Sequence, residues 1–256
     1  MRALLKIMRA LLKKVARYSL KLAGHSSTHV KADRTLNVSE LLFSENGGTL
    51  HLPLSPGKPK VRTQDDVEFA AASVLERVVL AALVKRLKAM HIFEIGTFRG
   101  ITALAMATNA PEGSVLYTLD LPSELSATEI AEKYYARSSN SGFRLMAASG
   151  AQRSVGLMLQ HYQGNCHIKQ LFGDSAEMDF TPYREQIDLF FVDGCHDYDM
   201  AKHDTLTAWN CLRPGGTVVW HDYLWPSVQK AIRDSKLGVP ISYVADTSLA
   251  FAQKPA

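Results

Sequence analysis

Cysteine is scarce in this chain: three residues in 256, Cys166, Cys195 and Cys211, with no C-x-x-C pair and no zinc-ligand spacing. That argues against a disulfide framework and gives no structural zinc module, and the three read as reduced thiols of a cytoplasmic protein. Long uninterrupted apolar runs are missing from the N-terminus. Through residues 1–24 a basic side chain recurs every three or four positions. This breaks the apolar core of a secretory signal and the roughly 20-residue span of a bilayer crossing. Acidic residues are absent from the same stretch, which holds seven basic ones. Basic excess is in turn missing from everything that follows. The chain carries +4 overall, yet residues 25–256 hold 22 basic and 25 acidic groups, a net of −3. Such a body offers no argument for nucleic-acid binding.

What residues 1–24 do have is amphipathic order. Leu4, Met8, Leu11, Val15, Tyr18 and Leu22 recur in steps of four and three, with Arg2, Lys6, Arg9, Lys13 and Arg17 on the opposite face. Three readings stay open for this basic helix. It can lie on an anionic membrane surface, pack its stripe on the body or on a second copy, or serve as a mitochondrial presequence. The expected setting is cytoplasmic, with peripheral contact to the inner membrane face through residues 1–24 and room for a homo-oligomer. Residues 25–63 are polar, with Gly47-Gly48 and SPGKPK at Ser55–Lys60. They read as a linker or lid with a short strand at Thr49–Leu54. Helical spacing follows from Gln64 to Met90.

Beyond that, apolar runs alternate with helical ones. The spacing predicts strands at His91–Ile95, Val115–Leu119, His167–Phe172, Ile187–Val192 and Thr217–Trp220. Helices are predicted at Gly100–Asn109, Ser126–Ser138, Gly142–His161 and Asp199–Leu212. Such alternation implies an α/β fold, a mostly parallel twisted sheet with helices on both faces. Val239–Ala245 and Ser248–Gln253 suggest a closing antiparallel hairpin.

HIFEIGTFRG, His91 to Gly100, places two glycines where a strand gives way to a helix. Gly96 permits a tight turn and Gly100 a close approach of loop to ligand. The spacing is G-x-x-x-G and not the dinucleotide G-x-G-x-x-G. Asp120 ends the next strand, about 20 residues on. A carboxylate there suits the two hydroxyls of a ribose, or simply caps a loop. Asp193, His196, Asp197 and Asp199 follow one buried run, and His221 and Asp222 follow the next. If those strands are neighbours, the groups converge. Gathered carboxylates need a cation or a proton between them, and oxygen ligands with one imidazole suit Mg²⁺ or Mn²⁺.

Five motifs stand in order at strand ends: Glu94-x-Gly-x-x-x-Gly100, TLDLP around Asp120, GDS at Gly173–Ser175, FVDGCHDYD at Phe191–Asp199, and RPGGTVVWHDY at Arg213–Tyr223. Together, over residues 65–253, they resemble the class I S-adenosylmethionine-dependent methyltransferases with their Rossmann-like fold. More narrowly, they resemble the bacterial small-molecule and sugar O-methyltransferase branch. The resemblance implies that Gly96, Thr97 and Gly100 approach the methionine part of the cofactor, and that Glu94 orients that loop or meets the methionine amine. It implies that Asp120 holds the ribose and that Asp174 and Ser175 lie near the adenine. Asp193 stands on both the cofactor and the metal side. His196 matches the general base, and Asp193 with His221-Asp222 matches the metal ligands, His221 departing from the acid that those relatives carry. The implied reaction is methylation of a small-molecule or sugar hydroxyl, with Mg²⁺ or Mn²⁺ assisting. Metal-independent N- or O-methylation is a second reading. A non-catalytic cofactor-binding scaffold recruited by the N-terminal helix is a third. The expected division is a basic helix (1–24), a linker or lid (25–63) and the methyltransferase domain (64–256).

Overall fold

The computed structural model describes residues 34–36, 72–125, 129 and 154–256. The strands are β1 (Arg34–Leu36), β2 (His91–Ile95), β3 (Val115–Asp120), β4 (His167–Phe172), β5 (Ile187–Val192), β6 (Leu212–Trp220), β7 (Ser242–Val244) and β8 (Ala250–Gln253). Four helices are described from end to end: α1 (Val74–Leu87), α2 (Ile101–Asn109), α3 (Tyr198–Cys211) and α4 (Pro226–Asp234). The strands form one sheet in the order β1-β7-β8-β6-β5-β2-β3-β4. Pairs from β4 through β6 are parallel, and β8 runs antiparallel to both β6 and β7. The mostly parallel sheet and its closing hairpin are as the sequence predicts. No described helix is long and apolar enough to cross a membrane.

All six residues of β5 are buried, as a strand covered on both faces requires. Alternate side chains then feed two cores. Ile92, Leu189, Phe191 and Val219 pack with α1 and α2, through Leu80, Leu83 and Met106. Phe93, Phe190, Val192 and Trp220 pack with α3 and α4, through Ala208, Val228 and Ile232. The two-residue period decides which helix pair each polar residue at a strand end will meet.

β2 lies where the strand order reverses, with β3 and β4 on one side and β5 and β6 on the other. In open α/β sheets the crevice at that reversal, beyond the carboxyl ends, receives the ligand. At the opposite edge, Asp188 ties the layers together. Its Oδ2 accepts from Met90 N and His91 N, each at 2.8 Å, and its Oδ1 pairs with Arg213.

The structure departs from the sequence reading in four places. β6 begins at Leu212 and not Thr217, although Pro214-Gly215-Gly216 reads as a breaker. The pairing with β5 absorbs this as a register shift between Ile187 and Leu189. α4, nine residues long, was not anticipated. Three residues of the segment read as linker or lid form β1, which pairs parallel with β7. Residues 154–161 hold one 3₁₀ turn at Leu157–Leu159 in place of the predicted α-helix. There the N–H groups of Gly156 and Met158 bond to Phe98 O and Arg99 O, so they join the loop after β2. The N-terminal helix, the strand at Thr49–Leu54 and residues 142–153 lie outside the described residues. So does the Ser126–Ser138 helix, apart from Glu129, which is helical.

Asp188→Ala strands two backbone donors and a guanidinium, and should lower unfolding free energy by roughly 2–4 kcal/mol. Denaturant melts compared with wild type measure it.

Candidate active site

The site follows from strand register. Ile95 pairs with Leu119 on one side and with Val192 on the other, and Val192 pairs with Trp220. The next residue of each strand is therefore in one row: Asp120, Gly96, Asp193 and His221. Asp120 itself pairs with Phe172, which brings Gly173, Asp174 and Ser175 to the row's far end. From β4 to β6 the row crosses four strand spacings, roughly 19 Å at about 4.8 Å each.

Gly96 has φ of +99°, and a Cβ there would lie 2.0 Å from Asp193 O. Its bareness lets two strand exits cross. Gly100 has φ of +84°, and its open side is filled by the Leu159 side chain, 2.7 Å from an added Cβ. The loop between them hangs on Asp120, whose Oδ2 accepts from Phe98 N (2.7 Å) while Oδ1 accepts from Leu121 N (2.7 Å). This is the loop-capping alternative to a ribose role. At the far end Asp174 Oδ1 accepts from Ala176 N at 2.9 Å, and Ser175 is half-buried.

Glu94 points to the α1/α2 side and is fully buried. It accepts from Thr102 Oγ1 and Thr118 Oγ1, and Thr97 Oγ1 lies 2.6 Å from Thr118 Oγ1. Burial pushes its carboxyl up to about 8 against the pull of the two threonines, and Asp193 and Asp120 nearby add to the rise. The row is thus rich in carboxylates.

The β5 and β6 exits bring the second group together. His196 Nε2 lies 2.5 Å from Asp222 Oδ2, and its ring stacks on Trp225 with centroids 5.0 Å apart. His221 Nδ1 lies 3.1 Å from Asp193 Oδ1 and 3.0 Å from Asp222 Oδ2. Asp222 sits at φ of +51°, a left-handed conformation that Asp tolerates. Asp199 is exposed on α3, and Asp197 contacts Cys195, so neither joins the group.

Among the described residues one set of potential metal donors converges: Asp193, His196 and Asp222, with ligand atoms within 4.8 Å of one another. Two carboxylates and an imidazole fit a divalent cation. The sequence reading put His221 in that set. In the structure His221 borders it, with Nε2 turned to Glu76 Oε2 at 3.4 Å. Burial opposes a charge on His221, yet Asp193, Asp222 and Glu76 prevail and hold its pKa well above the imidazole range. The acids therefore already have a counter-charge inside the protein. A cavity of about 10 Å³, bordered by Asp193, His196, Thr205, Trp220 and His221, lies behind them. That is room for about one water.

Glu76 is the residue that the sequence reading missed. Its signal was present: Ser73-Val74-Leu75-Glu76 is a capping box, with Ser73 N donating to Glu76 Oε2 (2.7 Å) and Glu76 N to Ser73 Oγ (3.3 Å). Nothing local foretold its reach to His221.

A family model described as a methyltransferase domain matches residues 93–223, a little over half of the chain. The chain belongs to this methyltransferase family. No curated protein matches the methyltransferase. Solved structures similar to it include the O-methyltransferase TomG of Streptomyces achromogenes, involved in tomaymycin synthesis and complexed with SAM. It is 18% identical, with TM-score 0.46, over 73% of this chain and 82% of that one. An O-methyltransferase from Bacillus cereus in complex with SAH is 15% identical, with TM-score 0.46, over 73% and 84%. The SAH-bound Podospora anserina methyltransferase PaMTH1 is 13% identical, with TM-score 0.47, over 73% and 80%.

The raised Glu94 carboxyl has a pH consequence. Unfolding returns Glu94 to its ordinary value of 4.5, so the stability it contributes is complete below that pH and is lost as pH rises toward about 8. Glu94→Gln, uncharged and of the same shape, should flatten the fall in melting temperature between pH 6 and pH 8 in the ligand-free protein. Paired thermal melts at the two pH values check this.

Proposed function

We propose that this methyltransferase transfers a methyl group from S-adenosylmethionine to a hydroxyl of a small molecule or sugar, with His196 as general base. The observation that carries the reading is the His196–Asp222 pair at the end of the strand row. Nε2 is held against Asp222, Trp225 covers the ring, and among the described residues Nδ1 has no hydrogen-bond partner. A base for a hydroxyl proton needs such a fixed ring with one nitrogen to spare.

The row fits the cofactor by charge. Asp120, Glu94 and Asp193 line one edge, and the cofactor presents an ammonium and a sulfonium to such acids. Asp174 and Ser175 would take the adenine end, Asp120 the ribose, and Gly96, Thr97, Gly100 and Glu94 the methionine end. When bound, S-adenosylmethionine supplies a methyl group already activated on sulfur, so positioning dominates the protein's share of catalysis. His196 Nδ1 accepts the hydroxyl proton, and Asp222 stabilises the imidazolium that forms. Burial opposes that charge, yet Asp222 raises the pKa of His196 above its ordinary 6.5. A base is active when deprotonated, so methyl transfer should climb with pH through a midpoint above 6.5.

A second reading rests on the convergence of Asp193, His196 and Asp222. Held there, Mg²⁺ or Mn²⁺ would lower the pKa of the acceptor hydroxyl. His196 would then be a ligand and not a base, and activity would fall on chelation. Attachment of residues 1–24 to a membrane, and self-association, remain part of the proposal for the whole chain. Their support is the amphipathic pattern alone.

The first test is calorimetric titration with S-adenosylmethionine, with Mg²⁺ and then with EDTA, followed by labelled-methyl transfer to a pool of hydroxylated small molecules. Asp120→Ala should abolish cofactor binding. His196→Ala should leave binding within about twofold and lower kcat by roughly 10²–10⁴. Activity that survives both His196→Ala and EDTA would overturn the base and the metal readings together.

A further inference from the structure

The loop from Gly96 to Gly100 takes a shape that its own residues do not all favour. Gly96, Phe98 and Gly100 have φ of +99°, +45° and +84°. Glycine adopts such angles freely, but a bulky Phe is an outlier there and stays only where its surroundings impose it. Two residues of β3 act on the loop from the sheet side. Thr118 Oγ1 lies 2.6 Å from Thr97 Oγ1, and Asp120 Oδ2 accepts from Phe98 N at 2.7 Å. These ties leave the carbonyls of Phe98 and Arg99 and the bare side of Gly100 to be met by something else.

Gly156–Leu159 meets them. Gly156 N donates to Phe98 O at 2.7 Å, and Met158 N donates to Arg99 O at 2.9 Å. The Leu159 side chain fills the space beside Gly100, where an added Cβ would lie 2.7 Å from its Cγ. The segment is in turn anchored away from the loop. Gly156 turns at φ of +72° with its open side against the Gln170 amide of β4, 2.4 Å from an added Cβ. Tyr162 Oη donates to Ala107 O in α2 at 3.1 Å and accepts from Cys166 N at 3.2 Å. The chain therefore runs along α2 as a strap, tied at both ends of the helix. A trans peptide opposes its C=O to its N–H, so with Phe98 O on the strap the Arg99 N–H points away from it. Among the described residues nothing accepts from that N–H.

We propose that residues 156–159 position the cofactor loop: two backbone hydrogen bonds and the Leu159 side chain hold Phe98 and Arg99 in the shape that receives S-adenosylmethionine, and fix the direction of the free Arg99 N–H. The strap acts through the loop, and the role rests on the cofactor reading above. A loop that holds its binding shape only part of the time binds with its affinity reduced by that fraction. Loosening the strap therefore raises Kd for the cofactor, and the cause lies in a segment far along the chain from the glycine motif.

Amide hydrogen exchange on the full chain reads the grip, and calorimetric titration with S-adenosylmethionine reads its consequence. In the native protein the amides of Phe98, Gly156 and Met158 should exchange slowly. Leu159→Ala should speed all three and raise Kd roughly tenfold, as for a loop in its binding shape about one time in ten. Leu159→Met, of similar volume, should restore both. Gly156→Ala, strained at positive φ and crowded against Gln170, should repeat the loss from the strap's other contact. Tyr162→Phe loosens the same segment away from the loop. It should lower the melting temperature and keep Kd within about twofold of native. Fast exchange at the three amides of the native protein overturns the proposal with no variant needed. So does a Kd within about twofold of native in folded Leu159→Ala, or an equal rise in Tyr162→Phe. Absence of binding by a native protein whose three amides are protected, and are released by Leu159→Ala, defeats the functional reading and leaves the strap's grip on the loop established.

Discussion

Strand register is the constraint on which everything else here depends. Because β2, β3, β5 and β6 end level with one another, each contributes the residue after its last buried side chain to one line. The line holds Asp120, Gly96, Asp193 and His221. A slip of one residue in any strand would send its polar group to the opposite helix layer and an apolar one into the row. The fully buried β5 makes such a slip costly, since it would exchange Phe190 for Phe191 between two differently shaped cores.

Charge is the second theme. Four acids, Glu76, Glu94, Asp193 and Asp222, are packed within the strand exits, where desolvation is severe. The protein answers each differently. Glu94 is biased toward its neutral form. Glu76 is held ionised, with burial outweighed by His221 and the Ser248 hydrogen bonds. Asp222 is likewise held ionised, with two imidazoles prevailing over burial. Asp193 is pushed upward by its own burial. With His221 as the internal counter-charge of Asp193 and Asp222, a divalent ion at this end of the row would compete with it.

The glycines illustrate how a motif can be legible while its physical reason is not. Gly96 and Gly100 mark the strand-to-helix turn, and both adopt positive φ. Their open sides meet the Asp193 backbone and Leu159. What looks in sequence like room for a ligand is, at these two atoms, room for the protein's own chain. The backbone between them is held by Asp120 through Phe98 N.

By itself the sequence determined the alternating sheet, the positions of its central strands and the placement of polar residues at their ends. These are local matters of periodicity and of where apolar runs stop. It also carried the capping box that starts α1. Only the tertiary structure decided that β5 and β6 are neighbours, that His196 stands against Asp222, and that His221 stands between Glu76 on one side and Asp193 and Asp222 on the other. It likewise decided that Pro214-Gly215-Gly216 continues a strand, and that residues 154–161 tie down a loop and form no α-helix. Those outcomes depend on which face a side chain takes and which backbone donors are left unpaired, and both are settled between elements far apart in the chain.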